Sequence, residues 1–254
     1  SDDQLANVVG IVYWLSTGSE DNVVTPLTDD DLLKSDHSDC THGYILALKD
    51  MHTTYVQWMD KSYTDYSVSE AIGKLDSDLK PAGENTILIE YDNTKSSDEG
   101  DVSQLNKALG YNNTKLLRAY NYYCADYSHK VRPIEYLDSF AAKNEAPKGS
   151  SGWYLPSPKE LVLLLEDNSN IEFYKGKSDT DQFNNIQKIL EALNASKMGS
   201  WYWSSSECKY TYTNNGTSAI GYYAWDVDFN GSDYGYVNIN YKDDINYVRA
   251  VCAF

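Results

Sequence analysis

Basic charge is scarce in this sequence: 21 Lys and Arg stand against 38 Asp and Glu, giving a formal net charge of -17. Binding a phosphate polymer depends on Lys and Arg displacing its counterions, so nucleic acid and anionic membrane surfaces are set aside as partners. The acidic residues are scattered, at Asp29–Asp31, Asp98–Asp101 and Asp243–Asp244, as on a solubilising face. Long apolar runs are missing too: none reaches the ~18 residues that would suggest a membrane span, so direct membrane insertion is not expected. The N-terminus lacks the basic, apolar, small-residue order of a signal peptide. Its abrupt start at Ser1-Asp2-Asp3 fits a chain trimmed of an export signal or anchor. Cysteine and histidine are few. Cys40, Cys124, Cys208 and Cys252 show no C-x-x-C spacing, and no His pair falls at ligand spacing, so no metal and no cofactor is expected. A Cys40–Cys124 bridge with Cys208 and Cys252 left open is one reading of the cysteines; buried free thiols are the other.

What the chain does have is aromatic residues, 23 Tyr and 6 Trp among its 254 residues, enough length to bury a core without staples. Val8 to Leu15 and Gly43 to Leu48 are short apolar, β-branched runs that read as buried strands, with Thr53 to Trp58 a weaker third. Helical spacing follows. Val68, Ala71, Ile72, Leu75 and Leu79 recur at three and four, and Leu105, Ala108 and Leu109 do the same. Thr114 to Tyr127 predicts a third helix and Pro133 to Asn144 a fourth, with the proline near its first turn. Lys148 to Gly152 reads as a linker or an ordinary loop. Ser157-Pro158-Lys159-Glu160 is a capping box that starts a helix running through Leu165, and Asp179 to Leu193 predicts another.

From Gly199 the period changes to two. Trp225, Val227 and Phe229 alternate with Asp226, Asp228 and Asn230, and Asn230-Gly231 is a turn signal. On the returning strand Val237 and Ile239 fall to the core side, while Tyr234, Tyr236, Asn238 and Asn240 fall with the aspartates to the other. A last strand, Tyr247 to Phe254, carries Val248, Ala250, Cys252 and Phe254 on one side.

Several words occur in a fixed order: Gly152-Trp153-Tyr154-Leu155-Pro156-Ser157 with Glu160-Leu161, then Tyr202-Trp203-Ser204-Ser205-Ser206-Glu207, Ala224-Trp225 with Phe229 and Gly231, and Tyr247-Val248-Arg249-Ala250-Val251. Upstream stand Gly10-Ile11-Val12-Tyr13, Cys40-Thr41-His42-Gly43 and Gly110-Tyr111-Asn112-Asn113-Thr114. Together they resemble a bacterial family of C-type lectin-like domains related to the C-terminal domain of a collagen-like adhesin. The resemblance implies one elaborated domain over residues 1–254, an α+β C-type lectin-like fold. It also implies a small twisted antiparallel sheet flanked by helices, with helical insertions and neighbouring N- and C-terminal strands. Cys252 stands where relatives often carry Arg. The last segment also resembles the variable regions of diversity-generating retroelement target proteins: nearly half of Trp201 to Phe254 is Asn, Asp, Ser or Tyr. Ordinary bias in a polar β-rich surface protein would give the same composition.

The candidate ligand-facing residues are Tyr210, Tyr212, Asn214, Tyr222, Tyr223, Asp226, Asp228, Tyr234, Tyr236, Asn238, Asn240 and Tyr241, because Tyr supplies large contact area at low entropic cost and Asn adapts its hydrogen bonds. Some of these rings are expected to pack under neighbouring loops instead. Asp226 to Gly231 matches the first half of an EF-hand loop, but Val237 stands where the bidentate Glu belongs. The words that hold calcium in sugar-binding lectins are absent. His37 and His42 lie near Cys40, a pairing more simply structural than nucleophilic, so no catalytic residue is assigned. The sequence thus reads as a secreted or cell-surface domain that recognises a protein or glycan ligand through its C-terminal face, non-enzymatic and part of a larger surface protein. The alternative is a structural subunit of a pilus or cell-envelope assembly with no separate ligand.

Overall fold

The computed structural model describes residues 7–16, 31–61, 64–82, 85–95, 103–165, 171, 180–230 and 235–254. Among them the chain is α+β, but its strands form three sheets where one small antiparallel sheet was expected. β1 (Gly10–Leu15), β2 (Gly43–Asp50) and β9 (Arg249–Ala253) pair antiparallel in the order β1-β2-β9. The first and last strands therefore share a sheet, one strand apart. β3 (Val56–Gln57) pairs with β8 (Ile245–Asn246). β4 (Leu88–Asp92), β5 (Trp201–Asn214), β6 (Thr217–Asp228) and β7 (Tyr236–Asn240) form the third sheet, in which β4 runs parallel to β5. β4 escapes a reading by period because Ile89 is its single fully buried residue.

β2 and β9 are buried on both faces, which is why each reads as a nearly unbroken apolar run. Tyr44, Leu46, Val251 and Ala253 enter one core cluster with the Trp225, Val227 and Val237 face of the third sheet and with Leu161 and Phe183 from two helices. Ile45, Ala47, Ala250 and Cys252 enter a second cluster with Trp58, Trp153 and Trp203 and with Ile72, Leu117 and Leu137 from three more helices. The side of the last strand predicted to be apolar is so, and its other side is buried as well.

The helix Val68–Gly73 stops short of Leu79, and Gly110–Tyr123 begins four residues before Thr114 and ends four before Tyr127. Its early start has a tertiary cause. The Glu160 carboxylate completes the capping box at Ser157, accepting from Ser157 N at 2.7 Å, and also accepts from Gly110 N at 3.0 Å, so one side chain caps two helices. A Cβ at Gly110 would lie 2.2 Å from that carboxylate oxygen, so only glycine fits. Arg132–Ala141 carries Pro133 in its first turn as expected. Pro158–Val162 ends before Leu165, continuing as turns, and Asp181–Ala192 is capped by Thr180.

The two-residue hairpin turn is Asn215-Gly216, both residues at positive φ (50° and 79°), between the facing pair Asn214 and Thr217. Asn230-Gly231 lies in the connection between β6 and β7, whose last pair is Asp228 with Tyr236, and Gly231 lies outside the described residues. The four cysteines are free thiols. Cys40 and Cys124 are not bridged, since Cys40 sits within the first cluster and Cys124 beside the second.

Candidate interaction surface

The third sheet enters the body through Trp203-Ser204-Ser205-Ser206-Glu207, where β5 bulges against β6 and every residue is at most 1 % exposed. Buried polar groups need partners, and here they have them. Ser204 Oγ donates to the Trp225 carbonyl at 2.8 Å, Trp58 Nε1 donates to the Ser204 carbonyl at 3.1 Å, and Asn113 Nδ2 reaches the hydroxyls of Ser205 and Ser206. Glu207 accepts from Val68 N and Ser69 N at 2.9 Å, from Ser67 Oγ at 3.0 Å and from Lys242 Nζ at 2.5 Å. Lys242, itself fully buried, also donates to the Tyr66 carbonyl at 2.7 Å. This word of the sequence is therefore a polar spine that ties strand to helix, with no outward role. Lys242 did not stand out in the sequence, and Glu207 did so only as the last residue of a family-like word; the further signal available was a Glu inside an otherwise uncharged strand word.

Beyond Cys208 the sheet runs to the edge of the first cluster, and its two faces differ. Paired residues share a face, so Cys208, Tyr210, Tyr212 and Asn214 lie with Tyr223, Gly221, Ala219 and Thr217. Counting by twos along β6 puts these on the same side as Trp225 and Val227. Tyr91 joins them from β4, opposite Tyr210, and Tyr241 follows β7 on that side. The result is a connected row of rings. Tyr91 and Tyr210 are 5.7 Å apart and nearly parallel, Tyr210 and Tyr212 5.3 Å, Tyr210 and Tyr223 5.7 Å edge-on, Tyr223 and Tyr241 5.2 Å. Asn93 Nδ2 donates to Tyr210 Oη at 2.8 Å. Tyr223 leans over Gly221, where an added Cβ would meet the ring at 2.7 Å, so the missing side chain is what lets the ring lie along the strand. Burial pushes the Tyr223 phenol up to about 12, and Tyr241 beside it adds to the shift.

The sequence-predicted residues divide accordingly. Tyr210, Tyr212, Tyr223 and Tyr241 form the row, on the extension of the apolar face and not on the polar face opposite it. Asn214 ends the same side of the hairpin. Tyr222 lies on the other face, where its hydroxyl donates to Glu70 Oε1 at 2.7 Å; that bond, and then burial, push its phenol up to about 12. Tyr236 packs edge-on against Trp201, and Asn238 and Asp228 share that face. Tyr234 lies outside the described residues. Asp226 is a correction. Expected on the outer face, it is completely buried, because β3 and β8 cover that side of the sheet. Its Oδ2 accepts from Asn240 Nδ2 at 2.5 Å and Asn246 Nδ2 at 2.7 Å, and its Oδ1 has no partner. Desolvation holds its carboxyl well above the usual range, against the pull of those two amides. Asn240 is thus committed to an internal bond.

Three of the four thiols are held away from activation. Burial raises Cys40, Cys208 and Cys252, the last to about 12, and a raised thiol is a poor nucleophile. His42 stacks on Phe254 and His37 packs edge-on to Tyr111, so both histidines near Cys40 serve as packing rings. Among the described residues no helix is long and apolar enough to cross a membrane.

No family model matches the chain. It is 24% identical over 208 residues to the putative fimbrium tip subunit Fim1C of Bacteroides ovatus, a match that covers 79% of this chain and 34% of that protein. The crystal structure of a fimbrial protein from Bacteroides ovatus ATCC 8483 aligns with 98% of this chain and 44% of its own, at 17% identity and a TM-score of 0.59. The chain thus spans a third to under half of the length of these relatives. They correct the resemblance drawn from the sequence words: the similarity leads to fimbrial proteins, not to the C-type lectin-like adhesin family or to retroelement target proteins. At that identity the structural likeness establishes shared fold, and the fold this chain shares is that of part of a fimbrial protein.

Proposed function

We propose that the chain is a single-domain portion of a cell-surface fimbrial subunit, structural and non-enzymatic, and that the tyrosine row docks it on a sister subunit. The observation that carries this reading is likeness to a fimbrial protein along nearly the whole chain. An assembly role suits the geometry. Tyr210, Tyr212, Tyr223 and Tyr241 continue a buried apolar column to the surface, and rigid rings of this kind give large contact area with little ordering cost. Asn214, at the end of the same side, adds adaptable hydrogen bonding at the rim. Asp228, Tyr236 and Asn238 lie on the opposite face and would belong to a second, smaller contact. This reading takes over from a separate protein or glycan ligand on the tyrosine face.

The test is incorporation. In the full-length subunit expressed in a fimbriated Bacteroides host, Tyr212→Ser with Tyr241→Ser should leave the fold intact by circular dichroism and remove the subunit from sheared fimbriae on immunoblots. A folded double variant recovered in fimbriae at the wild-type level would overturn the docking role of this face.

A further inference from the structure

A cleft of about 480 Å³ opens at the far end of the β2–β9 ladder, away from the tyrosine row, and the docking reading gives it no part. Three stretches of chain meet there: the end of β2 with the loop that follows, the segment entering β5, and the residue pair before β9. They are pinned to one another. Ser196 N donates to the Leu48 carbonyl at 3.0 Å, Tyr247 N to the Trp201 carbonyl at 2.9 Å, and Met51 N to the Val248 carbonyl at 2.8 Å. At the centre stands Arg249, completely buried in a register shift of β2, donating to the carbonyls of Ala47 and Ser196. Its Nε holds Asp50 Oδ1 at 2.7 Å, and Tyr202 Oη donates to the same oxygen at 3.2 Å.

Asp50 is thereby fixed in place with its charge compensated, its side chain 13% exposed and its Oδ2 left as the acceptor for the cleft it lines. On the wall the Tyr55 ring packs on the Tyr247 ring, centroids 4.2 Å apart, and keeps 45% of its surface in solvent. Lys49 and Ser200 line the rim as donors. Lys49 is exposed and has no carboxylate partner among the described residues. A rigid carboxylate acceptor, an aromatic wall and flexible donors are the complement of a pyranose, which has apolar C–H faces and a belt of hydroxyls that both donate and accept. The volume lies within the ~300–1,000 Å³ of small-molecule sites. With a molecule charged at -17, polyphosphate ligands are disfavoured.

We propose that this cleft binds one sugar residue of a glycan, its C–H face on the solvent side of the Tyr55 ring, which Tyr247 backs, its hydroxyls donating to Asp50 Oδ2 and accepting from Lys49. The site stands apart from the docking face, so the two readings fail separately. The test is saturation-transfer NMR of the whole chain with methyl glycosides of galactose, N-acetylglucosamine, fucose and N-acetylneuraminic acid, followed by a glycan array. At least one glycoside should show transfer, and its affinity should fall about tenfold in Tyr55→Ala, roughly one aromatic contact. Lys49→Ala should weaken it less. Both side chains are exposed enough for the variants to fold, and neither should change incorporation into fimbriae. Tyr212→Ser with Tyr241→Ser should leave sugar binding as it was. Absence of transfer from all four glycosides together with a blank array would overturn the site, and so would sugar binding within twofold of wild type in Tyr55→Ala.

Discussion

The Glu207–Lys242 pair is the interaction whose removal the structure lets one weigh most closely. Both side chains have 0% exposure and meet at 2.5 Å. Taking away one partner of such a pair leaves an uncompensated charge and costs about 3–5 kcal/mol. The two single substitutions are unequal. In Lys242→Met the carboxylate keeps three donors, from Val68 N, Ser69 N and Ser67 Oγ, so the cost belongs at the lower end. In Glu207→Gln the buried ammonium keeps the Tyr66 carbonyl and, at 5.6 Å, the Trp58 ring, but the amide NH2 that replaces one carboxylate oxygen is a donor set against donors, a helix N–H among them. Its cost belongs at the upper end. The double variant removes both charges and should recover part of the loss, with a coupling of about 1–3 kcal/mol. Urea unfolding reads this directly. At an m of about 2–3 kcal/mol per molar, a loss of about 4 kcal/mol lowers the midpoint by about 1.3–2 M. If Glu207→Gln unfolds within about 1 kcal/mol of wild type, or the double variant is no better than the sum of the singles, the pair is not the buried, mutually dependent one described.

Asp226 makes stability depend on pH. Burial raises its carboxyl, so the folded chain keeps the proton to a higher pH than the unfolded chain does; the stabilisation is full below the unfolded value of about 3.9 and is lost as pH rises toward and through the folded one. Asp226→Asn, neutral throughout, should therefore match wild type in urea midpoint near pH 4 and exceed it at pH 8; an equal difference at both would refute the assignment. Gly216→Ala, at φ 79°, should cost about 1–2 kcal/mol and fray the β5–β6 end first, seen as faster amide exchange at Thr213 and Ser218 than at Trp203.

Periodicity made much of the fold legible. The alternation of Trp225, Val227 and Val237 gives the core side of the third sheet, and Ser157 with Glu160 gives a helix start that forms as read. Boundaries set by distant partners were not legible. Gly110 begins a helix because a carboxylate 50 residues along the chain caps it, and no local pattern carries that information. The tight β5–β6 turn went unread for a related reason. Asn215-Gly216 sits in a run of polar residues with no apolar alternation to mark strands, and it is the pairing of Tyr210 to Asn214 with Thr217 to Gly221 that makes it a tight turn.

The polar face fared worst, and the cause is physical. A period of two says which residues share a side of a strand; what lies over that side depends on the rest of the chain. Here a second cluster and the short β3–β8 pair cover the lower half of the third sheet, so Asp226, Ser204 and Glu207 are interior. Past Cys208 the cover thins, and the column of Trp225 and Val227 continues upward as the half-buried Tyr223, Tyr210 and Tyr212. Tyrosine is the residue such a transition calls for, since its ring extends the apolar column while its hydroxyl meets water. The tyrosines therefore owe their place to the core below them, and a partner that covers them would extend that core across a subunit boundary.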